Sequence, residues 1–431
     1  MNKIFLLIDF GASRIKSAIF DSKKLNNIKN FTPTKPYDTK NNKYVVSLNE
    51  IEKQFRTIVS EYSLEYKIDG IYLCSEMHGF AILNEENKPI SDYISWKDER
   101  CLNKKGGIST FEYLKKIYGE TFYKKTGMKP RPCYPFFNLF EYLQEKKLFP
   151  QKIKIISLPE WICALDGQSK NISHSTMSAG LGFYNIYTKQ FDKELISAFD
   201  DFNLDILFNK PTDNIEIGGY ININGKNIPI YTGVGDHQCA VLGAGNDENT
   251  ISLNLGTGSQ IGVINSENNT AEKRPFFDNK LLSVITHIPS GRSFNTYINF
   301  LTEINPNYNY WEMLSNLSLQ DVLNSTLEID LANFSSAWNY ENGGKISKIN
   351  ETNLNLKNFL GSILKNYILQ YEKGIEYLGE KRKKIILSGV IPHKLPIIKE
   401  YFEKKGYETL ITTSQEDETF LGLCIIISKN C

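Results

Sequence analysis

One short pattern occurs twice in this chain, and it constrains the fold more than any other feature. Ile8-Asp9-Phe10-Gly11-Ala12-Ser13 and Leu253-Asn254-Leu255-Gly256-Thr257-Gly258-Ser259 share one design. An apolar strand ends in a polar side chain and one apolar residue, then turns through glycine with small or hydroxyl neighbours. Such an internal repeat signals a duplicated unit. The boundary is expected near Asn246, giving halves 1–246 and 247–431.

The segments between the repeats read as α/β. Ile4–Ile8 is a continuous apolar run long enough for a buried strand, and Ile15 to Phe20 continues it as a hairpin. Ile71–Cys74, Ala81–Leu83 and Ile385–Leu387 read as further strands. Helical spacing of apolar residues runs through Ile51–Glu61, Phe111–Tyr118, Phe136–Leu148 and Leu356–Leu378. Asp417 is expected to open a last helix, and Asn265–Lys273 reads as a loop. Asn305–Asn353, rich in Asn, Ser and Leu, resists assignment. Strands alternating with helices indicate an α/β architecture.

Charge and cysteine usage narrow the function. Lys+Arg is 50 and Asp+Glu is 49, a net charge of +1. No global field exists to hold nucleic acid or an acidic membrane surface, so neither is expected as a partner. The apolar run after Lys3 is only five residues long, too short for a secretory core, and no run approaches a bilayer span. The seven cysteines are scattered with no C-x-x-C pair, and the five histidines show no metal-ligand spacing. A disulfide framework and a zinc site are therefore not expected, and a reduced, cytoplasmic protein is.

Several turns carry chemistry-bearing residues. Asp9–Ser13 combines a strand-end carboxylate, which can hold Mg²⁺, with consecutive N–H groups in a tight turn, which can cradle phosphate. Lys16 is placed to balance phosphate charge. Gly256-Thr257-Gly258 offers a second such turn, and two phosphate turns in one chain suit ATP. After Gly233-Val234-Gly235, Asp236 stands where a helix begins. It reads both as an N-cap and as a general base that takes a hydroxyl proton during phosphoryl transfer. Met77-His78-Gly79 follows a buried strand, and Trp96-Lys97-Asp98-Glu99-Arg100 supplies an aromatic wall, a carboxylate and a guanidinium. Ser388-Gly389-Val390 follows another strand, where small residues let a flat base approach the backbone.

In this order the segments resemble the FGGY carbohydrate kinases, of the sugar kinase, actin and heat-shock chaperone superfamily. Asp9, Gly11, Ser13 and Lys16 match the family's Asp-x-Gly-Thr-Ser-x-x-Lys/Arg, with Ala12 in place of Thr. Met77, His78 and Gly79 match Gln-Met-His-Gly, with Glu76 where Gln is common. Trp96, Asp98 and Arg100 match Trp-x-Asp-x-Arg; Gly233, Gly235 and Asp236 match the segment carrying the catalytic Asp. Gly256 and Thr257 match the second phosphate loop, Gly389 partly matches the adenine-side motif, and Leu421-Gly422 the closing pair. Asp236-His237-Gln238 resembles the Asp-x-Gln of sedoheptulokinase-like members.

The resemblance implies two RNase H-like, actin-like ATPase domains with an interdomain cleft. It implies an ATP- and Mg²⁺-dependent kinase acting on a hydroxyl of a small sugar, a ketose such as a heptulose, hexulose or pentulose. Asp9 would serve the metal and Asp236 the proton. Gly11, Ser13, Lys16, Gly256, Thr257, Gly258 and Gly389 would serve the nucleotide, and Met77, His78, Trp96, Asp98, Arg100 and His237 the sugar. A homodimer is compatible with this reading. Two alternatives stay open: a kinase for another polyol such as glycerol, and a nucleotide-driven actin- or chaperone-type switch without a sugar acceptor.

Overall fold

The computed structural model describes residues 3–146, 149–256, 259–268, 270–334, 337–412 and 417–430. Leu148, Thr257 and Gly258, which enter the sequence reading, lie outside them. The chain forms two compact units. One comprises Met1–Gly243, Lys273–Leu281 and Glu418–Cys431, and the other Ala244–Glu272 and Leu282–Asp417.

The first unit is built on a sheet whose strands run in the order 217–223, 226–231, 70–75, 5–10, 15–20, 25–31. Strand Phe5–Phe10 is buried along its whole length, and so is Gly70–Ser75, its parallel neighbour. Continuous apolar runs of this kind are what a strand covered on both faces requires. Phe5–Phe10 pairs antiparallel with Ile15–Phe20, closing the hairpin expected from the sequence. The short strand Val234–Gly235 adds parallel to Gly70–Ser75 on its other side. Helix Leu48–Ser63 covers one face. Its buried Leu48, Ile51, Phe55, Ile58, Val59 and Tyr62 fall at helical spacing, and the Ser47 hydroxyl caps it by accepting from the Glu50 N–H. A second core, rich in aromatic rings, gathers around Phe122, Phe136 and Phe137 on helices Thr110–Thr126 and Pro135–Glu145.

A single division near Asn246 would leave the last helix, Glu418–Asn430, with the second half; it packs in the first. The cause is a close crossing with helix Asp236–Gly243. A Cβ at Gly243 would strike the Glu418 carbonyl, and one at Gly422 the Cys239 carbonyl. Glycine at both positions lets the two backbones touch.

The second unit repeats the plan. Strands follow the order 281–288, 259–264, 250–255, 384–388, 408–411. Thr250–Leu255 and Ser259–Ile264 form the hairpin, and Lys384–Ser388 lies parallel to the first of them. Position by position, Asp9 faces Lys16 and Cys74, while Asn254 faces Gln260 and Ser388. The duplication read from two short patterns is thus a duplication of ladder register. Helix Leu356–Leu378, capped by Asn355 and ended by Gly379 at φ 66°, fills the core of this unit. The unassigned stretch resolves into small pieces, helices Tyr310–Ser315 and Leu319–Asn324 and the ribbon Glu328–Ile329/Ile346–Ser347. Of the expected loop 265–273, the end is a strand, Glu272–Pro275.

Candidate active site

Three parallel strands of the first unit stop at one edge. Phe10, Ser75 and Gly235 are in register there. Carboxyl ends of parallel strands are where open α/β sheets place ligands. Three carboxylates emerge at that edge: Asp9, Glu76 and Asp236.

Asp9 is buried, and its Oδ2 is held by Lys16 Nζ at 3.0 Å and by the Thr419 hydroxyl at 2.9 Å. Lys16 is the residue directly opposite on the hairpin, so the register itself delivers the pair. The turn between them is tight at Gly11, where a Cβ would lie 2.8 Å from the Arg14 carbonyl. Ser13 is exposed on that turn.

Asp236 opens helix Asp236–Gly243, and its Oδ1 accepts from the His237 N–H at 2.7 Å. Its carboxyl is pushed up to about 7, first by burial and then by the negative charge of Asp9; Glu76 pushes the same way, while the His237 N–H and the Arg274 charge oppose them. Such a group changes charge near neutral pH, as a general base must. His237 is driven the other way, to about 3, by burial and by Arg274, so its ring stays neutral.

Glu76 is also raised by burial, against hydrogen bonds from the Tyr93 hydroxyl at 2.9 Å and the Ser95 hydroxyl at 3.3 Å. The next residues bend sharply. His78 has φ 68°, and a Cβ at Gly79 would land on the Tyr93 hydroxyl, so this position demands glycine. A left-handed histidine is uncommon and costs of order 1–3 kcal/mol. The bend sets the His78 ring against Tyr134, centroids 4.6 Å apart, with Nδ1 3.0 Å from the Gly180 carbonyl. Met77 is buried beside Gly235, where a Cβ would sit 2.9 Å from its sulfur.

Asp98 and Arg100 are not at the surface of this site. They are 0% and 2% exposed and grip each other, Nε to Oδ1 at 2.8 Å and Nη2 to Oδ2 at 2.7 Å. The Tyr44 N–H also donates to Asp98 Oδ2 at 2.7 Å, and Asn138 donates to the Asp98 carbonyl. Asp98 was expected to serve the sugar, and Arg100 to contact or brace its site. The polar atoms of both are committed to each other and to the loop, because a buried charge must find a partner. Trp96, between the strand Tyr93–Ile94 and this pair, is 37% exposed.

In the second unit Gly256 follows strand Thr250–Leu255, and its carbonyl accepts from the Ser290 hydroxyl at 2.9 Å and the Gly291 N–H at 3.2 Å. Gly389 follows strand Lys384–Ser388 with φ 87°, and a Cβ there would lie 2.6 Å from the Leu255 carbonyl. Gly256 and Gly389 therefore meet at neighbouring strand ends.

Residues 4–243, more than half of the chain, match the N-terminal domain of the FGGY family of carbohydrate kinases. The chain belongs to that family. Rhamnulokinase of Halalkalibacterium halodurans is 26% identical over 200 residues, 43% of this chain and 40% of the relative. Gluconokinase of Bacillus subtilis is 26% identical over 223 residues, 49% of this chain and 42% of the relative. The chain thus spans about two fifths of the length of the curated relatives it matches. Among solved structures, a ligand-bound xylulose kinase from Lactobacillus acidophilus superposes with a TM-score of 0.80 at 18% identity, covering 99% of this chain and 89% of that one. Gluconate kinase from the same organism gives 0.81 at 17%, covering 100% and 89%. These two likenesses concern the fold, and they bear out the two-domain, actin-like α/β architecture. The FGGY match ends at residue 243, with the helix that Asp236 opens.

The sequence reading passed over Thr419 and Arg274. Thr419 carries a signal in hindsight, since it sits three residues before the Gly422 that fixes its helix. Arg274, between Lys273 and Pro275-Phe276-Phe277, carries none. No helix among the described residues is long and apolar enough to cross a membrane.

Proposed function

We infer that this FGGY protein is an ATP-dependent kinase that phosphorylates a hydroxyl of a small ketose. One observation carries the reading: Asp236, at the start of a helix and the end of a parallel strand, has its carboxyl raised to about 7 beside Asp9. In phosphoryl transfer the protein positions the reactants and stabilises charge. Asp236 accepts the proton of the sugar hydroxyl as that oxygen bonds to the γ-phosphorus. The bond from the γ-phosphorus to the bridging oxygen breaks, and ADP leaves with the electron pair. The turn Gly11–Ser13 and the strand-end Gly256 are each read as serving the phosphates from their own unit, with Gly389 on the adenine side. Met77 and His78 shape the sugar side, and Trp96 offers a ring to it. Asp98 and Arg100 hold the loop that carries Trp96.

Mg²⁺ takes oxygen ligands, commonly one or two protein carboxylates with phosphate and water. No group of three or more His, Cys, Asp or Glu able to hold a metal occurs among the described residues. A single oriented carboxylate, Asp9, fits an ion shared with the nucleotide rather than a closed protein cage. When bound, the ion supplies charge neutralisation at the phosphates. The free cysteines of the described residues suit a reducing compartment, and we place the protein in the cytoplasm.

The test is coupled ADP release across three- to seven-carbon ketoses, aldoses and polyols. Sugar-dependent release with one ketose preferred is the expected result. ATP hydrolysis indifferent to every sugar would overturn the reading.

A further inference from the structure

Arg274 is a buried cation. It lies on strand Glu272–Pro275 and is 6% exposed. Its Nε is enclosed and makes no hydrogen bond among the described residues. Buried guanidinium groups are ordinarily paired, since an enclosed donor left unsatisfied is costly.

Its surroundings are those of the site. The neighbouring Lys273 N–H donates to the Gly127 carbonyl at 2.9 Å, and the Pro275 carbonyl accepts from Gln238 Nε2 at 3.3 Å. The strand is thus pinned against the helix that Asp236 opens. Two more enclosed polar atoms on that helix lack partners among the described residues, His237 Nδ1 and Gln238 Oε1. The charge of Arg274 reaches Asp236, His237 and Cys133. Cys133 adjoins Tyr134, whose ring meets His78. Polar atoms without partners among the described residues thus occur both on this strand and on the helix hydrogen-bonded to its Pro275.

We propose that Arg274 is a substrate-contact residue whose guanidinium donates to oxygens of a neutral polyhydroxylated sugar, with Gln238 Oε1 accepting from a hydroxyl of the same molecule. This rests on the kinase reading for the location of the sugar. Neutrality follows from the charges already present. Asp9, Glu76 and Asp236 crowd one sheet edge, and the first two push Asp236 upward. A substrate carboxylate would be a fourth acidic group beside them. A neutral sugar satisfies the guanidinium fork without that repulsion.

The experiment is calorimetric binding, without nucleotide, of three- to seven-carbon ketoses and the matching aldonates to wild type, Arg274→Gln and Arg274→Lys, with ADP release measured alongside. Wild type is expected to bind a ketose more tightly than any aldonate. Arg274→Gln should weaken that ligand by about 10- to 150-fold, the range for a hydrogen bond to a charged group. ATP affinity should change less than about twofold, against a tenfold step of 1.4 kcal/mol. Arg274→Lys keeps the charge but loses the fork, and should fall between the two; it decides the matter if the Gln variant does not fold. Equal ketose affinity in the variants, preference for an aldonate, or no binding of any member would overturn the proposal. Ketose binding without ADP release would sink the kinase reading and leave this one standing.

Discussion

Replacing Asp236 by Asn should make the protein more stable and nearly inactive. The carboxyl of Asp236 rises from 3.8 to about 7 on folding. A group whose folded value is raised favours the native state when protonated; that support fades as pH climbs from its unfolded value and is gone above its folded one. At pH 8 the native state therefore carries an ionised carboxylate it disfavours. A shift of about three units corresponds to roughly 4 kcal/mol at 1.36 kcal/mol per unit. Part of the side chain remains open to solvent, and taking half for screening leaves about 2 kcal/mol. At about 2–4 °C per kcal/mol for a unit of this size, Asp236→Asn should melt about 4–8 °C higher at pH 8. The amide keeps an oxygen for the His237 N–H, which Asp236 Oδ1 now accepts at 2.7 Å, so the helix start is preserved.

Turnover should fall by about 10²–10⁴, the usual worth of a general base, with ATP affinity retained. The assays are thermal melting without Mg²⁺ or nucleotide from pH 4 to 8, and coupled ADP release. The stability gain should be smallest near pH 4 and widest above pH 7. A gain independent of pH would refute the account of the raised carboxyl. A variant retaining more than about a tenth of wild-type kcat would move the base elsewhere. Asp98 is then a poor successor, since it is 0% exposed and Arg100 engages both of its oxygens.

Three further outcomes are expected. Glu76→Gln keeps an acceptor for Tyr93 and Ser95 and removes a charge that burial disfavours, so its melting advantage over wild type should grow from pH 5 to pH 8; a constant difference would contradict this. Arg100→Met strands a buried carboxylate and should cost about 3–5 kcal/mol in chemical denaturation, much of it recovered in Asp98→Asn/Arg100→Met; a loss under about 1 kcal/mol would mean the pair is not the brace described. His78→Ala should raise the sugar KM about 2–10-fold, the worth of one neutral hydrogen bond, and leave the ATP KM alone; parallel loss of both would place His78 away from the sugar.

Local signals made much of the fold legible. Ile15–Phe20, Ala81–Leu83 and Leu356–Leu378 are legible with the bounds the structure has, because apolar runs and helical spacing lie within each segment. Residues 305–353 failed for the opposite reason. Their elements are two to six residues long, too short for a period to show, and are held by the core they cover.

The same divide runs through the site. Asp9 and Asp236 stand at strand ends beside glycine turns, so chain order alone marks them. Asp98 and Arg100, two apart in a loop, look like a solvated pair. Only tertiary packing encloses them, and enclosure turns a substrate contact into a brace. Arg274 is the limiting case. Nothing within ten residues distinguishes it from a surface arginine, and its meaning comes from what is absent around a buried guanidinium. A sequence can announce the groups that a turn or strand end must position. It cannot announce a group that stands out only by which of its buried atoms lacks a hydrogen bond among the described residues.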